Sequence, residues 1–220
     1  MFLTRFDINP VRRGAHKLLG SPQAMHAAVL AGFPSADPIA GPTSRVLWRV
    51  DTSRARTQLY IQSPTRPDLT HLVEQAGWPT TATWSTGDVG ALLDSLDKGQ
   101  QWAFRLTANP TFATKVKEGG RSQRVAHVTA EQQLAWLSGR AGKWGFRILD
   151  TGSGPAVDIV NRSTRTFRRQ QATVTLVTAT FDGLLEVEDP EIMRESVIAG
   201  LGPAKGYGCG LLTLARTPAR

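Results

Sequence analysis

The two halves of this 220-residue chain spell out the same order of elements, and that repetition restricts the fold more than any single motif. Phe2 to Ile8 sets Phe2, Thr4, Phe6 and Ile8 against Leu3, Arg5 and Asp7, the period of a strand. Asn9 to Gly20 reads as a polar, basic link carrying Arg12, Arg13, His16 and Lys17. Ser21 then offers an N-cap and Pro22 a first helical position, so a helix is predicted from Pro22 to about Ala31, stopped by Gly32 with Pro34 beyond. Arg45 to Thr52 and Thr57 to Ser63 are strands joined by a short polar turn. Pro64 to Pro79 reads as loop and partial helix, Thr80 to Trp84 has no assignable period, and Val89 to Leu96 has helical spacing.

The second half begins again with a strand, Trp102 to Thr107, closed by Asn109-Pro110. Thr129 looks like the N-cap of a helix over Ala130 to Gly139, with Leu134, Trp136 and Leu137 as its candidate buried side chains. Phe146 to Leu149 is a short strand. Thr173 to Val187 is β-branched and aromatic, and Asp182-Gly183 inside it predicts a hairpin or bend. Asp189-Pro190 opens the helix Glu191 to Ala199, and Leu211 to Leu214 is the last strand. Strand, helix, two strands, helix, strand is the ferredoxin-like split βαβ order. The predicted class is therefore α+β: two tandem ferredoxin-like domains, residues 1–97 and 101–216, with a glycine-rich loop near the C-terminus. The RNA-recognition (RRM) module shares this arrangement, but its aromatic signature is absent, and fold alone does not license function.

Charge narrows the partner. Residues 1–100 carry 10 basic and 8 acidic side chains, residues 101–169 carry 12 and 4, and residues 170–220 carry 4 and 6, so the middle third supplies the whole net charge of +8. An anionic partner follows. The single cysteine, Cys209, rules out an internal disulfide and a cysteine-rich zinc site. The first residues lack a signal-peptide core and no run approaches the ~18 apolar residues of a membrane span, so a cytoplasmic protein without a membrane partner is expected.

Three stretches can carry chemistry. Gly200 to Gly210 holds Gly200, Gly202, Gly206, Gly208 and Gly210 around Lys205, and leads into an apolar strand. Such a loop leaves backbone N–H groups uncovered and can lie against a phosphate backbone, or it can be a turn and nothing more. The stretch NRSTRTFRRQQ places Arg162, Arg165, Arg168 and Arg169 among hydroxyl and amide side chains, a composition suited to phosphate contacts. Lys115, Lys117 and Arg121 form a second basic run. His26 is the only titratable side chain between Lys17 and Asp37, on a helix otherwise small and apolar. It is either a plain structural histidine or a proton carrier near neutral pH. No metal-ligand spacing, paired acidic motif, serine elbow or Cys–His signature is present. A hydrolase of this composition needs neither metal nor activated serine if its substrate is RNA, whose own 2′-hydroxyl can attack the neighbouring phosphate.

These residues resemble the CasE endoribonucleases, which process CRISPR RNA in the type I-E Cascade system. The resemblance is carried by Met25-His26 with Gly32-Phe33-Pro34, by Phe104 to Pro110 (FRLTANP), by Gln133 to Leu137 (QLAWL), and by Gly202-Pro203-Ala204-Lys205 with Gly208-Cys209-Gly210-Leu211-Leu212. It implies tandem ferredoxin-like domains of the RAMP type and cofactor-free, metal-independent cleavage at the 3′ base of a repeat-derived hairpin. The products would end in a 2′,3′-cyclic phosphate and a 5′-hydroxyl, and the protein would stay with its crRNA beside other Cascade subunits. His26 falls on the family's catalytic histidine, and Lys205 could add positive charge at the transition state. The arginine stretch resembles the segment that grips the hairpin stem, and Gly202, Gly206 and Gly208 belong to the RNA-holding loop. Some members have a tyrosine three residues before the histidine, where this chain has Gln23. Two other readings stay open: a catalytically silent RNA-binding subunit of the same fold, and a phosphate-ligand protein that uses the glycine loop without RNA.

Overall fold

The computed structural model describes residues 1–33, 45–79, 82–114, 123–152, 154–169 and 172–217. The first half runs β1 (Phe2–Ile8), α1 (Arg13–Gly20), α2 (Pro22–Leu30), β2 (Leu47–Thr52), β3 (Thr57–Ser63), α3 (Thr70–Ala76), β4 (Trp84–Asp88) and α4 (Gly90–Asp94). Its antiparallel sheet has the order β2-β3-β1-β4. The second half runs β5 (Gln101–Ala108), β6 (Thr111–Thr114), β7 (Gln123–Ala126), α5 (Ala130–Ala141), β8 (Phe146–Ile148), β9 (Val157–Arg169), β10 (Ala172–Val187), α6 (Pro190–Ala199) and β11 (Leu212–Arg216). Its sheet has the order β11-β5-β10-β8, with β9 paired to the first part of β10. Both orders are the ferredoxin-like one, outer-first-third-second, so the predicted class holds. Among the described residues no helix is long and apolar enough to cross a membrane.

Alternation explains each core. Phe6 and Ile8 of β1, with Leu59 and Ile61 of β3 and Trp48 of β2, bury against Ala15, Leu18, Met25, Val29 and Leu72 of the helices. In the second half Phe104, Leu106, Phe181 and Leu185 bury against Trp136, Leu137, Met193 and Val197. The cap signals work as read. The Ser21 hydroxyl accepts the Ala24 N–H at 3.2 Å, Thr129 and Gln132 form a reciprocal capping box, and Asp189 accepts the N–H groups of Glu191 and Ile192.

Two expectations fail, each for a tertiary reason, and the arginine stretch, given no element by the sequence, proves to be regular. Part of the basic link before Ser21 is helix α1, which has no side-chain cap and only Ala15 and Leu18 fully buried. Packing forms it: Gly14 lies so close to α3 that a Cβ there would be 2.2 Å from the Gln75 carbonyl oxygen. Arg12 donates to the carbonyls of Val73, Glu74 and Gly77 at the C-terminal end of α3. Asp182-Gly183 makes no turn, since β10 runs unbroken for 16 residues. Gly183 is there for close approach, because a Cβ would meet the Ala156 carbonyl oxygen at 2.5 Å. The arginine stretch is a strand, β9, paired along its length with β10.

The halves are joined by an ionic chain. Successive residues of a strand face opposite sides. Trp48 therefore enters the core of the first half, while Arg49, 2% exposed, faces the second. Arg49 donates to both carboxylate oxygens of Asp51 (2.7 and 2.9 Å), to the carbonyls of Arg105 (3.0 Å) and Leu211 (3.1 Å), and to the Thr213 hydroxyl (3.0 Å). Arg105 in turn holds Asp182, Nε to Oδ1 at 2.6 Å. Gln62 adds a bond to the Val197 carbonyl at 2.9 Å. Substituting Arg49 by Met keeps the stem volume but leaves Asp51 and two carbonyls without this donor. Urea denaturation should show a loss of about 3 kcal/mol, and a change under about 0.5 kcal/mol would mean that this joint does not hold the halves.

Candidate active site

His26 sits on α2 between two buried anchors, Met25 and Val29, and is itself half-buried where the helix meets the second half. On one side the Trp48 indole N–H donates to His26 Nδ1 at 3.2 Å. On the other lies the glycine loop, with a 3₁₀ turn over Lys205–Tyr207. Gly200, Gly202, Gly208 and Gly210 all have positive φ. Gly208, at φ +83°, meets two constraints at once, because a Cβ would also stand 2.8 Å from the Trp48 ring. Gly206 lies against the ring itself: a Cβ there would make contact 3.4 Å from His26 Nε2. Trp48 thus touches both sides of the site, hydrogen-bonded to the histidine and covered by the loop.

The rest of the loop is fastened to the second half. Gly202 packs against Trp136, whose indole N–H donates to the Thr111 carbonyl at 3.2 Å. Gly210 donates to the Thr107 carbonyl at 2.8 Å and accepts from Leu201 at 2.9 Å. The resemblance stretches FRLTANP, QLAWL and the glycine loop therefore form one packed unit. The aliphatic stem of Lys205 folds over Gly210. Burial lowers the Lys205 ammonium below its ordinary value, with Arg45 adding repulsion. Burial likewise lowers the His26 imidazole.

The other three histidines lie elsewhere. His71 donates from Nε2 to the Ala28 carbonyl at 2.8 Å, His127 lies against Phe112, and His16 is exposed on α1. Cys209 is fully buried, and burial pushes its thiol up to about 12, so it is no nucleophile. Among the described residues no cluster of three or more His, Cys, Asp or Glu side chains could hold a metal.

Among the described side chains, the arginines of this stretch do not form one patch. Arg162 and Arg165 lie on opposite faces of β9 by strand parity. Arg162 donates to the Val128 carbonyl, whereas Arg165 crosses to the first half and donates to the Leu19 carbonyl at 2.9 Å. Phe167, on the Arg165 face, packs edge-on against Tyr207 with ring centroids 5.0 Å apart, which ties the hairpin to the glycine loop. The backbones of Arg168 and Arg169 pair with Thr173 and Ala172, and their side chains fall outside what is described. Lys115, Lys117 and Arg121 also lie outside the described residues. Trp48 and Tyr207 escape a sequence reading, because Val46, Trp48 and Val50 alternate like any core strand and Tyr207 hides between glycines.

A tandem ferredoxin-like chain with a basic hairpin and a glycine loop closed over one histidine belongs to a defined class. The model of the family described as CRISPR associated protein matches residues 1–216. CRISPR-associated endoribonuclease Cse3 of Thermus thermophilus is 31% identical, over 98% of this chain and all of that protein. CRISPR system Cascade subunit CasE of Escherichia coli is 28% identical, over 77% of this chain and 88% of that protein. Thermus thermophilus Cse3 bound to an RNA representing a pre-cleavage complex superposes with a TM-score of 0.79 at 32% identity, covering 97% of this chain and 98% of that one. The chain belongs to the CasE family of CRISPR-associated endoribonucleases.

The lowered imidazole carries a stability prediction. Folded His26 is harder to protonate than unfolded, so the unfolded chain binds more protons once the pH drops below the ordinary value of 6.5. The histidine's contribution is therefore complete above that value and is lost as the pH falls through the depressed folded value. Denaturation midpoints measured between about pH 7 and pH 5 should fall less steeply for His26→Gln than for the wild type. Parallel curves would contradict this burial.

Proposed function

We propose that this chain binds a CRISPR repeat RNA hairpin, cuts it at the 3′ base of the stem, and keeps the mature crRNA as a subunit of a Cascade assembly in the cytoplasm. The observation that carries the reading is the placement of His26: a half-buried imidazole at the seam of the halves, with Trp48 on Nδ1 and the glycine loop beside Nε2. In this reaction the 2′-oxygen forms a bond to the adjacent phosphorus and the bond to the 5′-oxygen breaks, which gives a 2′,3′-cyclic phosphate and a 5′-hydroxyl. No metal is required, because the RNA supplies the nucleophile. His26 and Lys205 meet the phosphorane, the lysine as positive charge in a partly desolvated loop. Gln23 is exposed and its carboxamide cannot take or give a proton in this range.

Residues 1–97 act as the domain that carries the catalytic helix, and residues 101–216 as the domain that grips RNA. Arg162 and Arg165, with Arg168, Arg169, Lys115, Lys117 and Arg121, contact stem phosphates. Arg162 and Arg165, on the two faces of the β9–β10 pair, can meet phosphates on either side of that ribbon. Gly202, Gly206 and Gly208 allow the backbone to approach the RNA at the cut.

Single-turnover cleavage of the repeat hairpin tests this. His26→Ala should slow cutting by about 10²- to 10⁴-fold with hairpin affinity unchanged. Gly206→Ala, which puts a methyl against Nε2, should slow it by a smaller factor. Wild-type rates in His26→Ala would remove the histidine from the reaction. Tight binding without cleavage by the wild type would leave a silent RNA-binding subunit.

A further inference from the structure

Trp48 touches both the candidate catalytic histidine and the loop closing over it. Its indole nitrogen stands 3.2 Å from His26 Nδ1. An indole N–H can only donate, so Nδ1 must present its lone pair. A neutral imidazole has one proton, which is then on Nε2, the atom beside Gly206. Trp48 has no room to yield: it is 4% exposed, Gly208 covers its ring, and the next residue, Arg49, is anchored in the second half.

We infer that Trp48 is a positioning residue that sets the tautomer of His26, so that the imidazole offers the RNA an N–H at Nε2 and acts there as a hydrogen-bond donor. The inference rests on the reading of His26 as the residue at the cut. Two consequences follow. The Nε2 atom holds no lone pair in the resting enzyme, so the 2′-hydroxyl proton passes to solvent and the departing 5′-oxygen takes a proton from solvent in turn. A neutral N–H aimed at the phosphorane instead stabilises the charge that gathers on its oxygens, in the manner of other neutral histidines that serve as electrophiles. The proton is shared with the phosphate and is not transferred to it.

The same bond resists protonation of the ring, because an imidazolium would oppose Nδ1–H to the indole N–H. Burial acts in the same direction. Helix α2 has no other ionisable side chain. The elements packed on it bring Arg13, His16 and Lys17 from α1, His71 and Glu74 from α3, Arg49 and Asp51 on the far face of β2, and Lys205 and Tyr207 from the loop. His71 is committed to Ala28, and Arg49 and Asp51 to each other. Among the described residues none of these groups is paired with His26, which leaves Trp48 as the partner that selects the proton's position.

Nitrogen-15 spectra of the full chain with labelled histidine read the tautomer directly. The wild type should show Nε2 protonated and Nδ1 as an acceptor; a proton on Nδ1 would overturn the inference, and this measurement needs no variant. Trp48→Phe removes the donor and keeps an aromatic ring. It should raise the His26 pKa by about 0.5–1 unit, move the acid limb of the cleavage profile upward by the same amount, and slow cleavage about 3- to 10-fold. A folded Trp48→Phe chain with the His26 pKa and tautomer unmoved would reduce Trp48 to packing and overturn the inference. Retained cleavage in His26→Ala would instead sink the catalytic reading beneath it, whatever the nitrogen spectrum shows.

Discussion

One buried guanidinium holds the molecule in its working shape. A charge as far from water as Arg49 is tolerated only if it is paired and its donors are used. Its partners are drawn from β2 itself, from β5, from β11 and from the residue just before β11. Sliding one half over the other would orphan several of these groups at once. The arrangement thus has little freedom to drift. Arg105 and Asp182 extend the chain into the second sheet, so this joint is continuous with strand pairing on either side.

That joint also builds the site, through nothing more than the two-residue period of a strand. Arg49 faces the second half because Trp48 faces the first, and Trp48 is what His26 leans on. The loop from the other half then closes over both residues, its glycines there for close approach to Leu47, Trp48, Trp136 and His26. Neither half holds the site alone. The first supplies the imidazole and its support; the second supplies the wall, the lysine and the basic hairpin. Phe167 on Tyr207 links that hairpin to the same loop, so the arginine-bearing strand and the histidine are connected through direct contacts.

Much of this was legible in the sequence where the cause is local. The strand period of β1 and the caps at Ser21, Thr129 and Asp189 depend on a few neighbouring residues, and all were readable. Helix α1 was not, because its stability comes from Gly14 and Arg12 meeting α3, some sixty residues away along the chain. Asp182-Gly183 resembled a turn because glycine serves turns and tight packing alike. In the site, His26 and the glycine loop stood out separately. That they meet depends on how β2 packs on the second half, which no local pattern encodes. The arginine stretch was readable as charge, but its division into two faces appears only once it is a strand.

The physical claim is that a neutral imidazole at this seam meets the bond to be cut in the RNA. A structure of the chain with its repeat hairpin, made uncleavable by one 2′-deoxy sugar, tests it most directly. The account predicts an oxygen of the scissile phosphate within about 3.2 Å of His26 Nε2, the atom beside Gly206. A scissile phosphate bound elsewhere, with the His26 ring still covered by the loop, would contradict it.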